Sequence, residues 1–562
     1  MNPDRYLVTA ALLYANGAVH IGHLAGCYLP ADIYTRYLRA RGREVLFLSG
    51  TDEHGIPITL AAREKNISPR ELVDSYHDSI KESLRSFGIS FDIFDRTSSK
   101  HHHQTASDFF LKLHEKDCFE SLETQQFFDE KEGIFLADRY VRGVCPVCSY
   151  EDAYGDQCEK CGRSLSPQEL LEPRSLFGGP LSERKTTHWY LPMHRWQKEM
   201  ESYVKDHSHW KSNVKGQCLS WLAEGLRSRA MTRDLDWGVP VPLPGASRDK
   251  VLYVWFDAPI GYISATQKYR PKDWERFWKD EKTCLIHFIG KDNIVFHGLI
   301  FPLMLSLHGE YILPHHIPAN EFLNLEGNKI STSKNWAVWL SDFLETFPEN
   351  VDTLRYVLCA NMPETRDGHF TWKGFQTAQN CDLVGVLGNF IHRVMVLTWK
   401  HLDGKVPHSH DLGTQENLPD LLKRLSAEKE KIERELDGFH FKNALSSFMN
   451  LVRWGNHHLT EQSPWKTINT NPQQAKSCLY FSLQLSASLC ILSEPFLPFT
   501  YEKWKNLIRL PEGADWDQVG KKIFLPGAHT LSKPSHLFTP IEDSLIQTQI
   551  DKLSLKSSSR RT

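Results

Sequence analysis

The chain opens on an apolar run, Tyr6-Leu-Val-Thr-Ala-Ala-Leu-Leu13, which breaks at Asn16-Gly17 and passes into a long segment, Ile21 to Arg41, with helical spacing. That is the first turn of a strand–helix unit. A second run, Glu44-Val-Leu-Phe-Leu-Ser49, reads as a buried strand and ends in Gly50-Thr-Asp-Glu-His-Gly55, so polar residues collect just past its C-terminal end. Open α/β sheets bind ligands at such places. From about Cys118 to Ala230 the pattern changes to short aromatic strands, clustered cysteines and Gly/Pro turns, the mark of an insertion. Strand-like runs resume at Val251-Leu-Tyr-Val-Trp-Phe256 and Cys284-Leu-Ile-His-Phe-Ile289, as in the second half of a doubly wound domain. A polar loop follows at Leu325-Glu-Gly-Asn-Lys-Ile-Ser-Thr-Ser-Lys334, and beyond roughly residue 370 helical periods dominate. There Leu421, Leu425, Ile432 and Leu436 share one face at about 100° per residue, which predicts a helix bundle. Ser557 to Thr562 reads as a polar tail.

At 562 residues the chain is too long for a single core, and 41 % hydrophobic with 24 % charged residues excludes collagen-like, low-complexity and largely disordered classes. No uncharged apolar run reaches the ~18 residues of a bilayer span. The best candidate, Ile294 to Leu307, is short and carries His297. Met1 to Tyr6 leads into no apolar signal core with a small-residue cleavage site. The expectation is a cytoplasmic protein with no membrane partner. Lysine and arginine number 66 against 69 acidic residues, a net charge of −3, so a polyanionic partner must meet a local patch.

Of 12 cysteines, four cluster as Cys145-Pro-Val-Cys148 and Cys158-Glu-Lys-Cys161. Two such knuckles can place four thiolates on one ion, a closed tetrahedral zinc site that shapes the fold and leaves no position open for catalysis. Two redox pairs or disulfides are the other reading. His20-Ile-Gly-His23 sits where the first strand's turn meets its helix, with Gly17 and Gly22 letting backbone approach a ligand. A helix start carries partial positive charge, and two imidazoles there can donate to phosphate oxygens. Elsewhere in a chain the same tetrapeptide would be read as surface or core histidines; its place in the turn favours nucleotide. Lys329-Ile-Ser-Thr-Ser-Lys334 joins two lysines to three hydroxyls, either a mobile phosphate clamp or a plain basic turn.

In this order, a strand–HxGH–helix unit, a zinc insertion, a lysine–serine loop and a helix bundle resemble the class I aminoacyl-tRNA synthetases, and more narrowly the methionyl-tRNA synthetase family. The segments that carry the resemblance span nearly the whole chain: Leu12 to His23, the four-cysteine knuckle, Arg233-Asp-Leu-Asp-Trp-Gly238, Tyr253 to Tyr262, His287-Phe-Ile-Gly-Lys-Asp292 with His297, and Ser463-Pro-Trp465. The fold it implies is α/β, a split Rossmann-type parallel-sheet domain with a zinc-knuckle insertion and a C-terminal all-α bundle. Its divisions would be a first catalytic half at 1–117, the insertion at 118–230, the second half at 231–324, the lysine loop and stem-contact region at 325–370, an anticodon-binding bundle at 371–535 and a tail at 536–562. The reaction it implies joins L-methionine to tRNA(Met) through a methionyl-adenylate, using ATP with Mg²⁺.

Carried over residue by residue, His20, His23, Lys329 and Lys334 are the catalytic group, and His20, Gly22, His23, Asp292 and Lys329 meet ATP. Leu12, Tyr14, Asp52, Val254, Trp255, Ala258, Pro259, Tyr262 and His297 match the methionine pocket, with Asp52 on the ammonium and Tyr262 and His297 near sulfur. Without the resemblance Val254, Trp255 and Ala258 read as core. Asn389 and Arg393, one turn apart on a predicted helix Asp382 to Trp399, with Trp465, match the anticodon reader, hydrogen-bonding and stacking on unstacked bases. The sequence departs from the family at Thr332, where a second lysine is usual, and at Gly385, where an asparagine is usual. Two rivals stand beside this reading: a zinc-ribbon nucleic-acid binder with an inert α/β part, and a small-molecule nucleotidyltransferase. The isoleucine, valine and leucine enzymes carry a larger editing insertion than about 110 residues. The family's C-terminal dimerising extension is not seen after Ile546 to Leu555, which predicts a monomer.

Overall fold

The computed structural model describes residues 3–558 apart from 156, 157, 159, 162–164, 248, 333, 334 and 413–416. Its centre is a parallel sheet. β1 (Arg5–Ala10) lies between β2 (Glu44–Asp52) and β4 (Thr283–Gly290), with Leu7 level with both Leu46 and Leu285. β3 (Ile93–Arg96) extends the sheet beyond β2, and β5 (Ala319–Asn320) extends it beyond β4. A sheet covered on both faces needs nearly continuous apolar strands, and Leu7, Val8, Phe47, Leu48, Leu285 and Ile286 are all fully buried. The short strand Leu13–Tyr14 pairs with Thr51 and Asp52, so the chain leaving β1 is held against the end of β2.

The opening helix is continuous from Ile21 to Ala40, but Leu24–Tyr28 is wound as a π-turn before α1 (Leu29–Ala40). The run read as a strand from Val251 to Phe256 ends at Leu252; α2 (Val254–Tyr269) starts immediately, with Pro259 inside its second turn. β-Branched and aromatic residues suggest a strand locally, yet Val254 to Phe256 opens a helix whose residues Phe256 to Thr266 are buried, which short apolar stretches cannot reveal. The insertion is a long antiparallel ribbon, Glu120–Asp129 against Leu181–Pro192, carrying the cysteine knuckle between its arms.

The C-terminal part is helical. Leu421, Leu425, Ile432 and Leu436 are buried as the periodicity requires. The segment read as a tail, 536–562, contains a helix, Asp543–Ser558, with Ile546 and Leu553 buried. Two helices, Trp372–Leu402 and Pro472–Ser493, are long and apolar enough to cross a bilayer by length and composition, and both exceed Ile294 to Leu307 in that respect. In Pro472–Ser493, 89 % of the apolar window is buried, because the middle helix of a bundle is surrounded by neighbours.

Sheet and bundle are joined by buried charge. Asp32 on α1 and Arg355 on α3 (Val351–Ala360) are both fully buried, 2.7 Å apart. Arg36 meets the same carboxylate at 2.8 Å, while the Ser90 amide and hydroxyl donate to its other oxygen at 2.7 and 2.6 Å. Arg355 also donates to the carbonyls of Pro495 and Phe496. Burial alone would raise the Asp32 carboxyl, but Arg36, Arg355 and Ser90 outweigh it and hold it down to about 2. The folded value lies below the unfolded ~3.9, so this stabilisation is complete above about pH 4 and is lost as pH falls through 2. Asp32→Asn strands a buried guanidinium and should cost about 3–5 kcal/mol. Urea unfolding at pH 7 measures it, and an unchanged midpoint would remove the triad from the account.

Candidate active site

The opening histidines are organised by backbone. His20 caps the helix start in an extended conformation; its Nδ1 accepts from the Gly22 N–H at 3.1 Å, and its own N–H donates to Nδ1 of His23 at 3.3 Å. Each Nδ1 is thus an acceptor, which puts the proton of both neutral rings on Nε2. The rings stack at 3.6 Å, and burial lowers His20 to about 4 and His23 well below its usual value. Two uncharged rings can stack without repulsion and still offer two N–H donors. A Cβ on Gly22 would lie 2.9 Å from His20 and 3.2 Å from the Ile330 side chain. Glycine is therefore required where the helix start meets the lysine loop.

The approach of that loop is fixed on both sides. Ile21 donates to Val338 and Leu340 to Val19, at 3.1 and 2.8 Å. Asn328–Lys329 pairs with Leu323–Leu325 in a tight hairpin, and Lys329 Nζ lies 5.0 Å from the Phe322 ring. Burial raises the Asp292 carboxyl, with Lys291 and Lys329 opposing it. Lys334 lies outside the described residues.

Asp52 ends β2 and is 6 % exposed. One N–H, from His54 at 3.4 Å, reaches it, and no side-chain cation pairs with it among the described residues. Burial, with Asp257 and Glu53 nearby, raises its carboxyl well above the usual range. Its neighbour Glu53 is the opposite case, saturated by Arg96 at 2.8 Å and the Thr51 hydroxyl at 2.7 Å. A buried carboxylate left almost bare beside one so fully paired is costly to keep ionised without a partner.

A cleft of about 1290 Å³ opens beside it, lined by Tyr14, Val254, Trp255 and Asp292 together with Arg229, Arg233 and Phe296. Trp255 stacks on Phe296 at 4.0 Å. Of the other residues expected there, Asp52, Ala258, Pro259, Tyr262 and His297 are buried and Leu12 is half-buried. Tyr262 donates its hydroxyl proton to His297 Nε2 at 3.0 Å, because Nδ1–H of that ring donates to the Asn293 carbonyl at 3.1 Å. Both polar groups are therefore spent on each other rather than offered to a sulfur. Asp257, which sequence reading missed, takes His54 Nδ1 at 2.6 Å and lies 3.5 Å from His102 Nε2, while His103 meets His54 at 3.3 Å. His54 and His102 outweigh burial and lower the Asp257 carboxyl, which lies near enough to Asp52 to raise it.

The four knuckle sulfurs lie within 4.8 Å of one another, with Cys145 to Cys161 at 3.8 Å and Cys148 to Cys158 at 3.6 Å. A tetrahedral ion with bonds of ~2.3 Å spaces its sulfurs by ~3.8 Å, so the donor set fits zinc. Cys145 and Cys158 also pack in an apolar cluster with Ile56, which follows the Asp52 segment. At the far end, Arg393 lies 4.9 Å over the ring of Trp465, which is 36 % exposed, and Asn389 is exposed and donates to Asn456 at 3.4 Å. The helix bearing Asn389 and Arg393 continues back to Trp372 through a π-wound stretch, Ala378–Gly388, while Trp465 lies on the helix Pro464–Thr470.

The family described as tRNA synthetases class I (M) matches residues 6–395, and the family described as the anticodon binding domain of methionyl tRNA ligase matches 406–557. The chain belongs to the methionyl-tRNA synthetase family. It is 53 % identical over 554 residues to the methionine–tRNA ligase of Bacteroides fragilis, and 52 % over 552 residues to that of Parabacteroides distasonis. Each alignment covers 98 % of this chain and 81 % of the relative. Among solved structures, methionyl-tRNA synthetase of Mycobacterium tuberculosis bound by methionyl-adenylate shares the fold with a TM-score of 0.79 at 22 % identity, covering 95 % of this chain and 100 % of that one. The apo form of the same enzyme gives 0.71 at 21 %, covering 96 % and 99 %.

Within this synthetase fold the histidine pair, Gly22 and the lysine hairpin come together, and Tyr14, Val254, Trp255 and Asp292 share one cleft. Arg393 and Trp465 also meet, although 72 residues separate them in sequence. Because the knuckle geometry fits one ion, the purified protein should carry one tightly bound zinc per chain. Cys145→Ser should lower both zinc content and the thermal midpoint. Metal analysis finding none in the purified protein would overturn the assignment.

Proposed function

We propose that the two arms of this site carry out the two steps by which the family joins L-methionine to tRNA(Met). The ammonium of methionine pairs with Asp52, which that cation returns to its ionised form. Tyr14, Val254, Trp255 and the residues packed around Tyr262 enclose the side chain. The carboxylate of methionine attacks the α-phosphorus of ATP in line, and pyrophosphate leaves. Nε2–H of His20 and of His23 donate to phosphate oxygens where charge develops, and Lys329 adds an ammonium from the opposite side. Mg²⁺ arriving with ATP would neutralise part of the phosphate charge. The terminal adenosine hydroxyl of the tRNA then takes the aminoacyl group, with Asn389, Arg393 and Trp465 holding the anticodon. No covalent nucleophile is needed. The observation that carries this reading is the close approach of Gly22, on the helix start that bears both imidazoles, to Ile330 beside Lys329, where an added Cβ would lie 3.2 Å from the Ile330 side chain. In this reading the chain acts in the cytoplasm, and it acts as a monomer because the proposed sites need no residue from a second copy.

Exchange of labelled pyrophosphate into ATP, run with each amino acid in turn, should respond to methionine. A response to a different amino acid, or none, would sink the reading. His23→Ala should slow that exchange by about a hundred- to a thousandfold, the usual loss for one charge-stabilising donor, with methionine binding little changed. An unchanged rate would take His23 out of the mechanism. Trp465→Ala should leave exchange intact and impair tRNA charging; equal loss of both would contradict an anticodon role.

A further inference from the structure

A second cluster of possible ligands lies away from the knuckle and is used by none of the chemistry above. His209 is exposed, in the loop between the helices Gln197–Asp206 and Ser212–Glu224 of the insertion. His315 and His316 lie on the segment leading into β5. One ring nitrogen of each of the three lies within 4.8 Å of the others. The rings are close in every pairing, 4.8 Å from His209 to His315, 4.8 Å from His209 to His316 and 4.5 Å from His315 to His316.

The backbone beneath them is rigid. His315 and His316 both donate to the Leu285 carbonyl, and the His316 carbonyl accepts from His287, so this segment is laced to β4. His209 Nε2–H donates to the His315 carbonyl at 2.8 Å, and Trp210 Nε1 donates to the same oxygen at 2.9 Å. A histidine that gives one ring N–H to a backbone carbonyl has its other nitrogen as a lone pair in a fixed direction, the usual outer-shell arrangement of a metal ligand. For His209 that nitrogen is Nδ1. Bonds of ~2.0–2.1 Å to zinc put nitrogens ~3.4 Å apart, so closing the ring nitrogens, now within 4.8 Å, onto one ion requires the exposed rings of His209 and His315 to turn inward.

We propose that His209, His315 and His316 form a second metal site, for a borderline divalent cation of the zinc class, which fastens the insertion loop 207–211 to the edge of the parallel sheet. Three imidazoles select such ions over magnesium and calcium, which take oxygen ligands. Water completes the coordination. The three ligands come from two segments more than a hundred residues apart, the loop 207–211 and the run into β5, so an ion held by them acts as a clasp. The loop it holds belongs to the insertion that also walls the substrate cleft.

The test uses the full chain with its knuckle already loaded, titrated with Zn²⁺ at pH 7.5 by calorimetry. One further equivalent should bind, and Mg²⁺ should not compete. His209→Ala and His315→Ala, both at exposed positions, should each weaken that equivalent about tenfold or more while leaving the knuckle zinc in place. Amide exchange of residues 207–211 should slow on adding Zn²⁺ in the parent chain and in neither variant. No further equivalent, or one that both variants retain, would overturn the proposal.

Discussion

A carboxylate buried between two guanidiniums holds this molecule together. Asp32 lies on the first helix of the sheet domain, Arg355 on the helix beneath the bundle, and Arg355 reaches on to carbonyls at Pro495 and Phe496. Three parts of the chain separated by hundreds of residues therefore depend on one charge. Such a network is costly to bury and stabilises only while complete. It also positions the site, because α1 is the continuation of the helix whose first turn carries His20 and His23.

The site itself rests on contrasts between satisfied and unsatisfied groups. Glu53 is paired on all sides, and Asp52 beside it is nearly bare. The stacked imidazoles have their Nδ1 atoms occupied by backbone and their Nε2 donors available. Fixing donors in place before a ligand arrives avoids reorganisation when charge develops, which is the largest saving an enzyme of phosphoryl chemistry can make. The knuckle contributes at a distance: its buried sulfurs share an apolar cluster with Ile56, four residues beyond Asp52.

Much of this was legible in the chain. The apolar strands of the sheet, the turn at His20, the paired CxxC units and the periodicity of Leu421 to Leu436 are local patterns, and local patterns survive folding. The failures share a cause. Val254 to Phe256 resembles a strand until its surroundings are known, and the polar run that reads as a tail holds a helix whose Ile546 and Leu553 are buried. The grouping of Asp257 with His54 and His102 joins segments about 50 to 200 residues apart, which no spacing rule reaches. The pairing of Tyr262 with His297 depends on which nitrogen the Asn293 carbonyl takes.

That last pairing has a bearing on fidelity. A pocket rejects an analogue most strongly when the analogue leaves one of its own donors or acceptors stranded. In the proposed methionine pocket the phenol and the imidazole already answer one another, so under that proposal a side chain of the same length with a methylene in place of the thioether would strand nothing. Only contour would then separate the two, and contour is a coarse filter between isosteres.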